Sequence, residues 1–209
     1  MPNIIADISG DYAALLRLLA KMPDDEAISL GDMIDRGPDS RAVVEWFMAN
    51  GRAVLANHEH MMLDYCRGAD YYTPGTWETN GGDATLASFG GAIPEEVLDW
   101  VEQLPLYLEV EGCLLSHAFV CPGRSLAEAC DLGAGSYDAR FDRSLLWNRE
   151  PPRRLRQYRM QIAGHNSQFG LRKFSDWRGV FAICLDDSRR GRLTGLHLPS
   201  MEIYQVECD

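Results

Sequence analysis

Short apolar runs and helix-spaced apolar positions alternate along the first third of the chain. Residues 3–7 form an apolar run ending in Asp7, and residues 11–21 carry Leu15, Leu16, Leu18 and Leu19 at helical spacing. Residues 27–30 read as a second strand ending at Gly31-Asp32. Residues 40–50 read as a helix with Val43, Val44, Phe47 and Met48 on one face. A third strand over 52–56 ends at Asn57-His58, and 59–67 is helical again. Strand-helix-strand-helix-strand predicts a parallel, right-handed α/β arrangement.

The middle of the chain changes character. Tyr72-Thr73-Pro74-Gly75 is turn chemistry, followed by helical patterns around 79–89 and 94–104. The stretch 71–104 is therefore expected to be a helical cap inserted into the sheet. The last half returns to strands: a hairpin over 106–111 and 113–116, a strand over 160–163, and an antiparallel meander over 180–185, 191–197 and 201–206. Residues 118–159 read as irregular. One domain spanning 1–209 accounts for the pattern.

Ligand-capable side chains recur at strand ends. Asp7, Asp32, Asn57 with His58, His117 and His165 each follow an apolar run. In open α/β sheets the carboxyl ends of strands line the ligand crevice. One Asp or His after a strand is usually a turn residue, but five such ends in order point to a shared site. Carboxylate, amide oxygen and imidazole suit Mn²⁺, Fe²⁺, Zn²⁺ or Mg²⁺. A shared carboxylate can bridge two such ions, which polarise phosphoryl oxygens and acidify a water.

Composition narrows the partners. A net charge of −11 argues against a nucleic-acid partner, yet a metal site can reverse the field locally for an anionic substrate. No apolar run reaches membrane-spanning length and the N-terminus does not read as a signal peptide, so the expected location is the cytoplasm. The 6 cysteines match no zinc spacing and read as reduced thiols.

The block Gly31-Asp32-Met33-Ile34-Asp35-Arg36-Gly37-Pro38-Asp39-Ser40 resembles the G-D-x-x-D-R-G-x-x-S signature of the phosphoprotein phosphatases, within the calcineurin-like metallophosphoesterases. Ala56-Asn57-His58-Glu59, Ser116-His117-Ala118 and Gly164-His165-Asn166 resemble the later blocks of that family. Leu146-Trp147-Asn148-Arg149, and Trp77 with the run from Asn80 to Leu86, resemble the small bacterial and phage members. The resemblance implies an α/β fold, a four-layer αββα sandwich with a small helical cap. It implies two divalent ions, with Mn²⁺ the first expectation and Fe, Zn or Mg the others. Asp32 would bridge them, Asp7 would hold the first, and Asn57, His117 and His165 the second. His58, oriented by Asp35, would protonate the leaving alkoxide. Arg36 and Arg149 would grip the phosphate, with Asn57 beside them.

The activity implied is hydrolysis of phosphomonoesters, with phosphoserine, phosphothreonine and phosphotyrosine proteins or small phosphoesters as substrates. Dinucleoside polyphosphates or cyclic nucleotides are the alternative for the same core. One position departs from the pattern: Ser9 stands where the first block, G-D-x-H-G, has an imidazole. A water held by Ser9, a neighbour such as Asp11 or His60, or an empty first site are the three arrangements open to it. The last would leave a weakened enzyme that binds phosphorylated partners.

Overall fold

The computed structural model describes residues 1–69, 71–132 and 141–208. Parallel strands β1 (Asn3–Ile5), β2 (Ala27–Ser29) and β3 (Gly51–Ala53) form the centre and one edge of a first sheet. The hairpin of β9 (Arg192–His197) and β10 (Glu202–Glu207) completes it in the order β10-β9-β1-β2-β3, with β9 antiparallel to β1. The second sheet has the order β4-β5-β6-β8-β7, built from β4 (Tyr107–Val110), β5 (Cys113–Ser116), β6 (Met160–Ala163), β7 (Arg172–Asp176) and β8 (Gly179–Cys184). In it β5, β6 and β8 run parallel.

Side-chain alternation makes these two sheets a sandwich. Ile4, Ile28, Cys113, Leu115, Ile162, Ile183 and Leu196 meet in one buried cluster between the sheets. Their strand neighbours face outward. Ile5, Ala27 and Leu193 pack under α1 (Tyr12–Leu19) and α2 (Ser40–Asn50) on the first sheet. On the second sheet, Leu114 packs under Ala129 of α6 (Leu126–Ala129) together with Leu145 and Leu155. The layers are thus helix, sheet, sheet, helix. From the first sheet the chain crosses to the second through α3 (Asn57–Arg67), a wide helical turn at Glu78–Gly82, α4 (Asp83–Ser88) and α5 (Glu95–Glu102). The last three of these lie within 71–104, the stretch read as a helical cap.

One expectation needs correction. Residues 180–185 do not join a terminal meander. They form β8 in the second sheet, parallel to β6, and only the β9–β10 hairpin returns to the first sheet. A buried apolar run records that it is covered, not by which sheet. The stretch Arg172–Asp176, for which the apolar pattern predicts no element, is an exposed polar edge strand. Within the stretch read as irregular, residues 133–140 lie outside the described residues. No helix among the described residues is long and apolar enough to cross a membrane.

Candidate active site

Strands of both sheets end at one rim, and the turns there are unusual. Of the seven non-glycine residues with positive φ among the described residues, five belong to this rim: Ser9, Asp32, Asp35, Arg36 and His165. Left-handed backbone at such residues persists only where the surroundings enforce it. Glu59, on the buried face of α3, does so at Asp32: its carboxylate accepts from the backbone N–H of Asp32 at 3.0 Å and of Met33 at 2.7 Å. At the end of β1 the carboxylate of Asp7 accepts from the His165 N–H at 3.1 and 3.2 Å. The approach is so close that a Cβ on Gly164 would lie 2.1 Å from Asp7 Oδ1, so only glycine fits there.

The metal-competent side chains meet at His117. Its Nδ1 donates to the Leu30 carbonyl at 2.9 Å, which leaves Nε2 as a lone pair. That nitrogen lies 2.7 Å from Asn57 Oδ1, 3.1 Å from His165 Nδ1 and 3.5 Å from Asp32 Oδ1. Asn57 Oδ1 and Asp32 Oδ1 are acceptors, and in its Nε2–H tautomer His165 presents a lone pair at Nδ1 as well. Burial lowers the pKa of both imidazoles, which disfavours a second proton on either ring. Acceptors gathered around acceptors fit a cation. The set of carboxylate, amide oxygen and two imidazoles suits a divalent transition metal. Among the described residues no three His, Cys, Asp or Glu side chains already stand as a metal cage. Here the donors face one another, with the Asn57 amide among them.

Charge around this point is unbalanced. Burial pushes the Asp32 carboxyl up, but the neighbouring His58, His117 and His165 imidazoles and the Arg36 guanidinium bring it down to about 2. Asp7 is raised well above the usual carboxylate range by burial, then by Asp186 and Asp32. Positive charge beside Asp7 would relieve that repulsion.

Next to this cluster stands an acid–base pair. His58 Nδ1 donates to Asp35 Oδ2 at 2.5 Å, and Asp35 is wholly buried. The cap helps to fix it: Trp77 Nε1 donates to Asp35 at 3.0 and 3.1 Å, and Thr85 Oγ1 donates at 2.6 Å. Arg36 Nη2 donates to His58 Nε2 at 2.9 Å. Burial lowers the His58 pKa, but Asp32 and Asp35 outweigh it and leave it raised. Arg149 is exposed, and its charge helps to depress His165.

Other candidates fall elsewhere. His60 Nδ1 pairs with the Tyr72 hydroxyl at 3.0 Å among aromatic rings, and burial pushes it down to about 4. Asp11 caps α1, accepting from Ala14 N at 2.7 Å. Ser9 Oγ lies 3.5 Å from Arg36 Nη1. Arg153 bonds the Arg124 carbonyl at 2.6 Å and Arg154 pairs with Asp176 at 2.8 Å, so these guanidiniums brace the fold. Two buried acids close to the cluster go unmarked in the sequence reading. Glu59, which burial and Asp32 push up to about 8, props the Asp32 turn. Asp186 follows β8 and accepts from Ser188 Oγ at 2.6 Å. The strand-end rule, applied to β8, finds it.

A two-sheet sandwich carrying acids, an amide and imidazoles on one rim is the architecture of a metallophosphoesterase. The chain belongs to the calcineurin-like phosphoesterase family, whose model matches residues 3–189. That family typically binds two divalent metals. Serine/threonine-protein phosphatase 1 of Salmonella typhimurium is 32% identical over 205 residues, covering 91% of this chain and 88% of its own. A symmetrical bis(5'-nucleosyl)-tetraphosphatase of Shewanella sp. is 34% identical over 137 residues, 58% of this chain. The chain's match spans only 45% of that tetraphosphatase. Among solved structures, a candidate diadenosine tetraphosphatase superposes with a TM-score of 0.70 at 22% identity, covering 100% of this chain and 93% of its own. A mutant cold-active protein tyrosine phosphatase gives 0.60 at 17% identity, covering 99% and 77%.

Proposed function

We propose that this protein is a metal-dependent phosphomonoester hydrolase acting on phosphoserine and phosphothreonine proteins, with phosphotyrosine as a further substrate. The observation that carries the reading is the buried His58–Asp35 pair standing 3.8 Å from Asp32 Oδ2 through His58 Nε2. A proton donor is needed beside the donor cluster because an alkoxide is a poor leaving group. Coverage supports a protein substrate: the match extends over 88% of the serine/threonine-protein phosphatase but 45% of the tetraphosphatase. The spacing of the 6 cysteines, which matches no disulfide framework, supports a reducing compartment, the cytoplasm.

Asp32, Asn57, His117 and His165 would hold one divalent ion, and Asp7 with Asp32 the other, Mn²⁺ being our first choice. Bound ions would polarise the phosphoryl oxygens and acidify a water. The remaining work falls to the chain's own groups. Arg36 and Arg149 bind the phosphoryl oxygens. As the phosphate draws Arg36 away, His58 Nε2 is released to carry the proton that the leaving oxygen takes. Asp35 keeps the ring's Nδ1 proton in place and favours the charged imidazolium. A cavity of about 520 Å³, lined by Asp7, Ser9, Arg36 and Asp39, opens beside the cluster and gives the substrate room.

The second reading, a dinucleoside polyphosphate hydrolase, is favoured by the tetraphosphatase relatives. Assays with Mn²⁺ on phosphoserine, phosphothreonine and phosphotyrosine peptides beside diadenosine tetraphosphate separate the two. Turnover of the dinucleotide alone would overturn the protein-phosphatase reading. Turnover of neither, with phosphopeptide binding retained, would make the chain a binding protein weakened at Ser9.

A further inference from the structure

One hydrogen-bonded thread joins the cap to the segment that carries Arg149. The Trp147 indole Nε1 donates to the Tyr72 hydroxyl at 3.2 Å, and that hydroxyl lies 3.0 Å from Nδ1 of His60. With His60 neutral, the hydroxyl accepts from the indole and donates to the imidazole, so both partners are satisfied at once. The rings also pack: Tyr72 lies 6.1 Å from Trp147 and 5.7 Å from His60 between centroids. Phe141 closes the cluster, 5.7 Å from Tyr72 and 6.4 Å from Trp147. Tyr72 is itself tied to α3, its N–H donating to the Asp64 carboxylate at 3.3 Å.

The other side of Trp147 faces the rim. Its ring stands edge-on to His165 at 6.0 Å and 89°. Two residues further on, the Arg149 carbonyl accepts from Asn166 Nδ2 at 2.9 Å, next to His165. The 147–149 segment is thus pinned at its indole by the cap and at its carbonyl by the His165 turn. An arginine side chain is long and rotamer-rich, so the backbone that launches it decides how often its guanidinium reaches a given point.

We propose that the Tyr72 hydroxyl is a positioning group for phosphate binding: by holding the Trp147 indole, it keeps Arg149 aimed at the phosphoryl group and couples the cap to the rim. This rests on reading Arg149 as a phosphate-binding residue. Tyr72→Phe removes the hydroxyl and keeps the ring.

The test uses the full chain loaded with Mn²⁺. Inorganic phosphate binding is measured by calorimetry, and KM and kcat on a phosphopeptide, for wild type, Tyr72→Phe, Arg149→Ala and the double variant. Tyr72→Phe is expected to weaken phosphate binding and raise KM about fivefold, the scale of one hydrogen bond, with kcat held. In the Arg149→Ala background the same change is expected to have no further effect on either quantity. An equal effect in both backgrounds, or a fall in kcat with phosphate affinity intact, overturns the proposal. Trp147→Phe removes the donor instead of the acceptor. It must give the same shift and add nothing to Tyr72→Phe, and full additivity counts against the thread. Should the chain hydrolyse no phosphomonoester, the reading of its function fails, while phosphate calorimetry still decides the role of Tyr72.

Discussion

Both ring nitrogens of His58 are bonded, to Asp35 at 2.5 Å and Arg36 at 2.9 Å, whereas Nε2 of His117 faces Asn57 Oδ1 and His165 Nδ1 with no proton assigned to lie between. The two histidines belong to opposite sheets of one sandwich. Around His58 the chain supplies every partner itself, through Asp35 and the Trp77 and Thr85 groups that fix it. Around His117 it assembles acceptors from both sheets with no cationic side chain among them. Under the proposed function the difference is a division of labour: the proton donor would be preorganised by protein, and the donor cluster would be completed by an ion.

The largest expected effect breaks the first half alone. Asp35→Asn keeps the shape but removes the charge behind His58, and kcat should fall about 10²–10⁴-fold. Mn²⁺ affinity measured by calorimetry should stay as in wild type, and a parallel loss of metal would erase the distinction between the halves. His117→Ala breaks the second half. Wild-type protein at Mn²⁺ about a hundredfold above its Kd should gain about 2.7 kcal/mol of stability. The variant should show none of that rise in thermal melts.

Sharpening the contrast comes from Ser9→His, which adds a nitrogen donor beside Asp7. A tightening of metal binding by about 10–100-fold is expected. An unchanged affinity would mean that the natural site already compensates for serine. Gly81→Ala tests the cap's hold on the first half. Gly81 sits at φ +107, and a Cβ there would lie 2.8 Å from the Arg36 backbone nitrogen. The cost should be about 1–3 kcal/mol in denaturant unfolding, and a neutral result would show that the cap does not press on Arg36.

The smallest effect is a pH dependence. Asp32 and Asp35 raise His58 above its ordinary 6.5, against the depressing effect of burial. The stability its pairing contributes is therefore full below that ordinary value and fades as pH rises through the raised one. The melting-temperature gap between wild type and Asp35→Asn should narrow toward alkaline pH. The alkaline limb of kcat should move to lower pH in the variant. A gap that widens with pH contradicts the assignment.

Much of this was legible in the chain because strands ending in chemistry are a local signal. The runs before Asp7, Asp32, Asn57, His117 and His165 each carry their own evidence, and the sandwich brings those ends to one rim. What escaped was information that no local pattern holds. The run 180–185 looks the same whichever sheet receives it, and the exposed strand at Arg172–Asp176 has too little apolar character to stand out. Glu59 is a helix residue whose importance lies in two backbone N–H groups made accessible only by the left-handed turn at Asp32. The Tyr72–Trp147 bond joins residues 75 positions apart and leaves no trace in either segment.

Anomalous diffraction at the manganese edge from crystals grown with saturating Mn²⁺ tests the central claim most directly. The expected result is an ion in contact with Asp32, Asn57, His117 and His165, with His58 still paired to Asp35 beside it. Crystals that hold no manganese there, at a concentration supporting turnover in solution, and in which Asn57 Oδ1 and His117 Nε2 remain in direct contact, would contradict it.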